Sequence, residues 1–159
     1  MSTPGQIEVS IAGEADAEAI TSLFREYREH FGYTTGSMPV GEYVRYLIRH
    51  PSTDILIARS ETEVLGFITV SLSISSVLLS PALNGVDFWV VPAMRGSRVA
   101  GLLLKEMQRY ARERGALSMF CLVPTDRGDL QRFYRKFGWQ ARPLTFLRSL
   151  VPEQHPDLD

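Results

Sequence analysis

The chain has 159 residues, of which 45% are hydrophobic and 22% charged, and a net charge of −1 at pH 7. That length suits one domain, read as residues 1–159, able to bury roughly 70% of its unfolded surface without staples, and the lone Cys121 rules out an internal disulfide. The charge balance argues against a general nucleic-acid surface, and with no basic leader segment and no stretch of about 18 apolar residues, a soluble chain in a reducing cytoplasm is expected, without a membrane span.

Ile7, Val9 and Ile11 alternate with polar residues as a half-buried strand does, and Asp16 can cap a helix with Ile20, Leu23, Phe24, Tyr27 and Phe31 on one face. Residues 32–41 hold Gly36, Pro39 and several hydroxyl side chains, a loop able to cover a site, before a short helix with Tyr43, Val44 and Leu47 on its apolar side. Residues 54–59 and 64–72 are β-rich runs separated by Ser60-Glu61-Thr62-Glu63, which predicts an antiparallel hairpin; residues 73–84 lead into a further strand over 86–91.

That strand runs through Val90-Val91-Pro92-Ala93-Met94-Arg95-Gly96-Ser97-Arg98 into a helical pattern of Val99, Leu102, Leu103, Met107, Tyr110 and Ala111. The first N–H groups of a helix lack intrahelical partners and the macrodipole is positive there, so a diphosphate can sit on Gly96 to Ala100, with Arg95 and Arg98 adding full charges. The alternative is an ordinary strand-to-helix turn with two solvated arginines. Gly115 ends that helix, residues 117–123 read as a buried strand with a buried Cys121 thiol, and Thr125 or Asp126 can cap a helix carrying Leu130, Phe133, Tyr134 and Phe137 up to Gly138. Residues 139–150 read as two short strands interrupted by Pro143, and 151–159 as a frayed tail. The order β, α, α, β, β, β, α, β, α, β, β predicts an α+β fold: a mixed, largely antiparallel central sheet flanked by about four helices.

Val90, Pro92, Arg95, Gly96 and Ala100 fit the pattern Val-x-Pro-x-x-Arg/Gln-Gly-x-Gly-x-Gly/Ala, so the turn resembles the acyl-CoA-binding motif of the GNAT superfamily of N-acyltransferases. Phe133-Tyr134-Arg135-Lys136-Phe137-Gly138-Trp139 resembles the second recurring motif of that superfamily, Phe/Leu-Tyr-x-x-x-Gly-Phe/Trp, and the order of elements agrees over nearly the whole chain. Two positions depart from the family pattern: Arg98 stands where glycine is usual, its Cβ working against close approach of a pyrophosphate, and Arg127 stands where an asparagine usually contacts the cofactor arm.

The resemblance implies a GNAT-like N-acetyltransferase that moves an acetyl group from acetyl-CoA to a primary amine by direct attack through a tetrahedral intermediate. Backbone groups of Phe88, Trp89 and Val90 would bind the thioester, and Arg95, Gly96, Ser97, Arg98, Val99 and Ala100 the diphosphate. Asp87 would act as base and Tyr134 as acid toward the departing thiolate. The acceptor is left open among a small amine, an aminoglycoside, an amino acid and a protein lysine or N-terminus, and a homodimer is compatible. The rival class is a non-catalytic acyl-CoA-binding or interaction module.

Elementary chemistry gives the two named side chains a purpose. A lysine-like amine costs roughly 4.6 kcal/mol to deprotonate at pH 7, so a carboxylate near the reacting carbon is useful. An aspartate inside the apolar run Val86-Asp87-Phe88-Trp89-Val90 suits burial only when paired or functional; the bland alternative is an edge-facing or strand-start residue. Tyr134 has the spacing of a core aromatic as well as the motif position. His30 and His50 follow helical stretches, where imidazolium suits the dipole, and no metal cluster, nucleophile elbow or P-loop is present in the sequence. Glu26, Glu29 and Glu42 read as a solvated face rather than as a trap for a cationic substrate.

Overall fold

In a computed structural model of the protein, residues 5–142 are described, and the chain divides into two units, residues 1–122 and 123–159. In the first unit the β-branched and aromatic runs pair into one sheet of order β1-β2-β3-β4-β5, with β1 (Glu8–Ile11), β2 (Thr53–Arg59), β3 (Val64–Ser75), β4 (Ser80–Val90) and β5 (Ser118–Cys121). The pairs from β1 to β4 are antiparallel, and β4–β5 is parallel. Among the described residues this is the mixed, largely antiparallel sheet the pattern predicts.

Helices cover both faces. α1 (Ala17–His30) and α2 (Val40–Arg49) bury Ile20, Leu23, Phe24, Val44 and Leu47 against Ile55, Ile57, Phe67 and Trp89. α3 (Val99–Glu113) packs on β2, β3 and β4 from the opposite side, burying Val99, Leu103, Leu104, Met107 and Tyr110. Burial of Leu104, with Leu102 only half-buried, turns that helix slightly from the expected face. The Gly115 φ of +73° lets the chain leave α3, and the Ala116 N–H donates back to the Ala111 carbonyl at 3.0 Å.

Pairing across strands alters several local expectations. Residues 73–84 are not a lead-in: β3 and β4 form a long hairpin whose register continues to Ser75 opposite Ser80. Asp16 sits at the N-terminus of α1 without capping it through its side chain; its carboxylate instead accepts the Gly13 N–H at 2.8 Å and the Arg59 guanidinium at 2.5 Å. The run 117–123 is not buried throughout. Only Ser118–Cys121 pair, Cys121 is half-buried, and Leu117 is 70% exposed, because β5 adds to the sheet through just four residues of β4.

In the second unit α4 spans Gly128–Lys136. Its N-terminal flank is Arg127, held to Asp129 at 2.9 Å, rather than Thr125 or Asp126. Gly138, at φ +82°, follows the helix as expected. Residues 139–142 form no strand, and the rest of the two predicted strands lies outside the described residues. No described helix is long and apolar enough to cross a membrane.

Candidate functional site

The pairing of β3 with β4 slips by one residue in the middle of the sheet. Ile68 lies opposite Phe88 and Val70 opposite Gly85, so Thr69 faces both Val86 and Asp87. This is a β-bulge, and it reverses the face of every later side chain on β4 relative to the regular alternation. Asp87 is thereby turned toward α1 and α2, on the same face as Trp89 two residues on.

The carboxylate does not stand alone there. The Thr69 hydroxyl donates to Asp87 Oδ2 at 2.7 Å and accepts the Asp87 N–H at 2.9 Å, and Thr69 is itself only 3% exposed. The Tyr27 hydroxyl on α1 faces Asp87; burial first, and then the Asp87 charge and hydrogen bonding, raise its pKa well above the ordinary tyrosine value. Tyr43 on α2 is raised in the same direction, by burial and then by Asp87. Both shifts favour the protonated phenol, with Tyr27 hydrogen-bonded to the carboxylate and Tyr43 near enough to sense its charge. Asp87 is thus a paired, half-buried mid-strand group, not an edge-facing one.

Aromatic rings surround this group. Tyr27 meets Phe31 at 5.3 Å, Trp89 at 5.9 Å and Phe67 at 6.0 Å, and Phe24 stacks on Phe67 at 4.5 Å. His30 packs 5.1 Å from the Trp89 ring, so it is part of this aromatic layer. The Arg95 guanidinium lies over the Trp89 ring at 4.5 Å and donates to the Val90 carbonyl at 3.3 Å. It braces the turn against the strand end.

Among the described residues, the other edge of β4 is paired only in part. Its ladder with β5 stops at Gly85 opposite Cys121, so residues 86–90 run beyond their parallel neighbour. A Cβ on Gly85 would lie 2.7 Å from the Cys121 sulfur and 3.0 Å from Met107, which is why the chain needs glycine at the point of closest approach. The N–H groups of Asp87 and Val91 point toward β3, bonded to Thr69 and to the Leu65 carbonyl. By the alternation of a strand, those of Phe88 and Val90 point to the opposite edge, beyond the end of the β5 ladder.

Past that edge comes the turn. Pro92–Met94 form one 3-10 turn, Gly96 adopts φ +76° with open space around it, and Arg98 precedes α3. Ser97 Oγ accepts the Val99 N–H at 3.3 Å, and the N–H groups of Arg98, Ala100 and Gly101 have no partner among the described residues. Arg98 has φ −73°, an ordinary right-handed conformation, so the backbone here does not demand the glycine usual at this position. Unpaired donors at a helix start, an exposed Arg98 and a clear space above Gly96 together suit a diphosphate.

Tyr134 lies in the last turn of α4, in the second unit, with its ring 5.4 Å from Phe133 and 5.3 Å from Trp139, and is 9% exposed. The structure thus gathers Asp87, Trp89, Val90 and Arg95 into one contiguous region of the first unit. Thr69, Tyr27 and Tyr43 belong to it as well, and sequence reasoning did not single them out for chemistry. A threonine inside the apolar run Leu65-Gly66-Phe67-Ile68-Thr69-Val70 was the available signal, for the same reason that applied to Asp87.

Comparison with known proteins gives this geometry its context. Residues 17–139 match the family described as the acetyltransferase (GNAT) family. The chain is 26% identical over 129 residues to YhfO of Bacillus subtilis (strain 168), an uncharacterized N-acetyltransferase, covering 81% of this chain and 87% of that one. It superposes with a TM-score of 0.79 on a ribosomal-protein-alanine N-acetyltransferase from Brucella melitensis biovar Abortus 2308, at 18% identity over 91% of this chain and 100% of the other. A soil-metagenome aminoglycoside acetyltransferase in complex with sisomicin gives 0.78 at 16% identity, over 91% and 96% of the two chains. An aminoglycoside N-acetyltransferase in complex with CoA gives 0.79 at 15% identity, over 95% and 99%.

Proposed function

The chain belongs to the GNAT family of acetyltransferases, and from that premise we propose that it transfers an acetyl group from acetyl-CoA to a primary amine, by direct attack of the neutral amine through a tetrahedral intermediate. The observation that carries this is the placement of Asp87, turned by the β4 bulge toward α1 and α2 and held there by Thr69, just past the point where the β4 ladder with β5 ends. A base on one side of the strand and backbone N–H groups aimed at its far edge are the two elements aminolysis of a thioester needs.

Acetyl-CoA, when bound, supplies the acetyl group as an activated thioester. The N–H groups of Phe88 and Val90 point to the edge where the thioester carbonyl would be held, with Trp89 fixing the strand between them from the core. Residues 95–100 hold the diphosphate: Gly96 and Ser97 shape the turn, Arg98 and Ala100 offer N–H groups, Val99 anchors the helix start in the core, and Arg98 adds charge. Arg95, drawn onto Trp89 and Val90, acts mainly by bracing that turn. Asp87 accepts the proton of the incoming ammonium, and Tyr134 donates to the leaving thiolate, a role supported by its place in the second family motif.

The test is release of free thiol from acetyl-CoA in the presence of a panel of amines, with mass spectrometry of the acetylated amine. Amine-dependent thiol release is expected. Stabilisation by acetyl-CoA, worth roughly 2.7 kcal/mol at about 100 times the dissociation constant, with no thiol release for any amine, would instead mark a binding module.

A further inference from the structure

We infer that the acceptor site selects a monoamine carried on a flat aromatic or apolar skeleton, over a polyhydroxylated polycation; this rests on the acetyl-acceptor reading of Asp87 above. Among the described residues Asp87 is the carboxylate sensed by both Tyr27 and Tyr43, and these two side chains are packed among rings. Tyr27 leads through Phe31 to Tyr33, with centroids 5.3 Å and then 6.2 Å apart. On the other side Phe24 leads to Tyr43 at 6.3 Å and Tyr43 to Tyr46 at 6.2 Å. Tyr33, Tyr43 and Tyr46 are 52%, 37% and 49% exposed, so their rings are accessible to a ligand approaching along the α1–α2 side.

Such an arrangement recognises a cation by one ion pair and by ring faces, and an apolar body by burial against the same rings. A sugar-based polyamine needs the opposite: several carboxylates, and many hydrogen-bond partners for its hydroxyls. The neighbouring depression under residues 33–40, about 450 Å³, is lined by Arg25 and Arg28 against a single acid, Glu29. The Arg28 guanidinium is held there by the Thr35 carbonyl at 2.5 Å. A ligand with several positive charges is repelled from that loop, whereas a monoamine leaves it untouched.

The test is titration calorimetry of the full chain, with saturating CoA, against 2-phenylethylamine and against sisomicin, repeated on Tyr43→Leu and Tyr33→Leu. Both substitutions keep apolar bulk, and a thermal melt confirms that each variant is folded. Phenylethylamine is expected to bind at least about tenfold tighter than sisomicin, and each variant to weaken it about five- to tenfold. Sisomicin binding as tightly, phenylethylamine failing to bind, or both variants binding it unchanged would overturn the inference. Thiol release from acetyl-CoA is scored separately with each amine. Phenylethylamine binding without thiol release leaves the recognition intact and sinks the transferase, while thiol release with sisomicin and no phenylethylamine binding does the reverse.

Discussion

Thr69 and Asp87 are joined twice through one hydroxyl, which donates to Asp87 Oδ2 at 2.7 Å and accepts the Asp87 N–H at 2.9 Å. The bulge leaves the Asp87 N–H without a ladder partner, and the threonine both satisfies it and orients the carboxylate. Thr69→Val keeps the branching but strands both groups. It is expected to cost about 1–3 kcal/mol of stability and to lower kcat/KM for the amine, while Thr69→Ser restores both. A urea titration and an amine saturation curve read the two effects, and an unperturbed KM and kcat in Thr69→Val would show the pair to be structural only.

Asp87→Asn tests the base itself. A neutral amide cannot take the ammonium proton, so turnover should fall most at low pH and recover in part as pH rises toward the amine's own pKa, about 10. Acetyl-CoA binding should barely change. A uniform loss over the whole pH range, together with a lower melting temperature, would assign Asp87 to the strand's stability alone.

Three tyrosines are expected to make the fold sensitive to alkali. Burial raises the pKa of Tyr27, Tyr43 and Tyr110, assisted by Asp87 for the first two and by the 2.5 Å hydrogen bond to Asp54 for Tyr110. Each folded-state pKa lies above the unfolded value of 10.0, so the unfolded chain loses these protons first. Their stabilising contribution is complete below pH 10 and lost as pH rises beyond it toward the folded pKa values. Urea midpoints should therefore be level approaching pH 10 from below and drop above it, and Tyr110→Phe should flatten the drop. A wild-type midpoint unchanged by pH above 10 would contradict the protonated phenols.

The turn before α3 offers two contrasting changes. Gly96→Ala places a Cβ at φ +76°, costing about 1–2 kcal/mol and weakening CoA binding with it. Arg98→Gly removes a charge but no required conformation, since Arg98 is already right-handed. CoA affinity should fall roughly 3- to 10-fold and become less dependent on salt. Calorimetry at low and high salt decides; a rise in affinity would identify the side chain as an obstruction.

Tyr134→Phe keeps the ring beside Phe133 and Trp139 and removes only the hydroxyl. Fold and cofactor binding should survive. A CoA thiolate is already a fair leaving group, so a loss at the low end of acid catalysis is expected, roughly 10- to 100-fold in turnover, shrinking with a donor whose thiol is more acidic. Full activity in the variant would leave Tyr134 as packing.

Much of the fold is written in local patterns. The helical spacing of Ile20, Leu23, Phe24 and Tyr27, the β-rich runs on either side of residues 60–63, and the glycines after α3 and α4 each declare an element from its own residues, because side-chain period and backbone permissiveness are local properties. The strand, Val-x-Pro, Arg-Gly and helix order marked the candidate cofactor turn for the same reason. Which face Asp87 takes is not local. Strand side chains alternate with a period of two, so the single extra residue that pairing with β3 inserts at Val86–Asp87 moves the carboxylate from the α3 side to the α1 and α2 side. Only that pairing brings Thr69, Tyr27 and Tyr43 to it from β3, α1 and α2. The four-residue ladder with β5 likewise decided that residues 117–123 are half-exposed and that β4 runs beyond its parallel neighbour after Gly85. The residue types were chosen by the sequence, and their meeting by cross-strand register, which no window of neighbouring residues encodes.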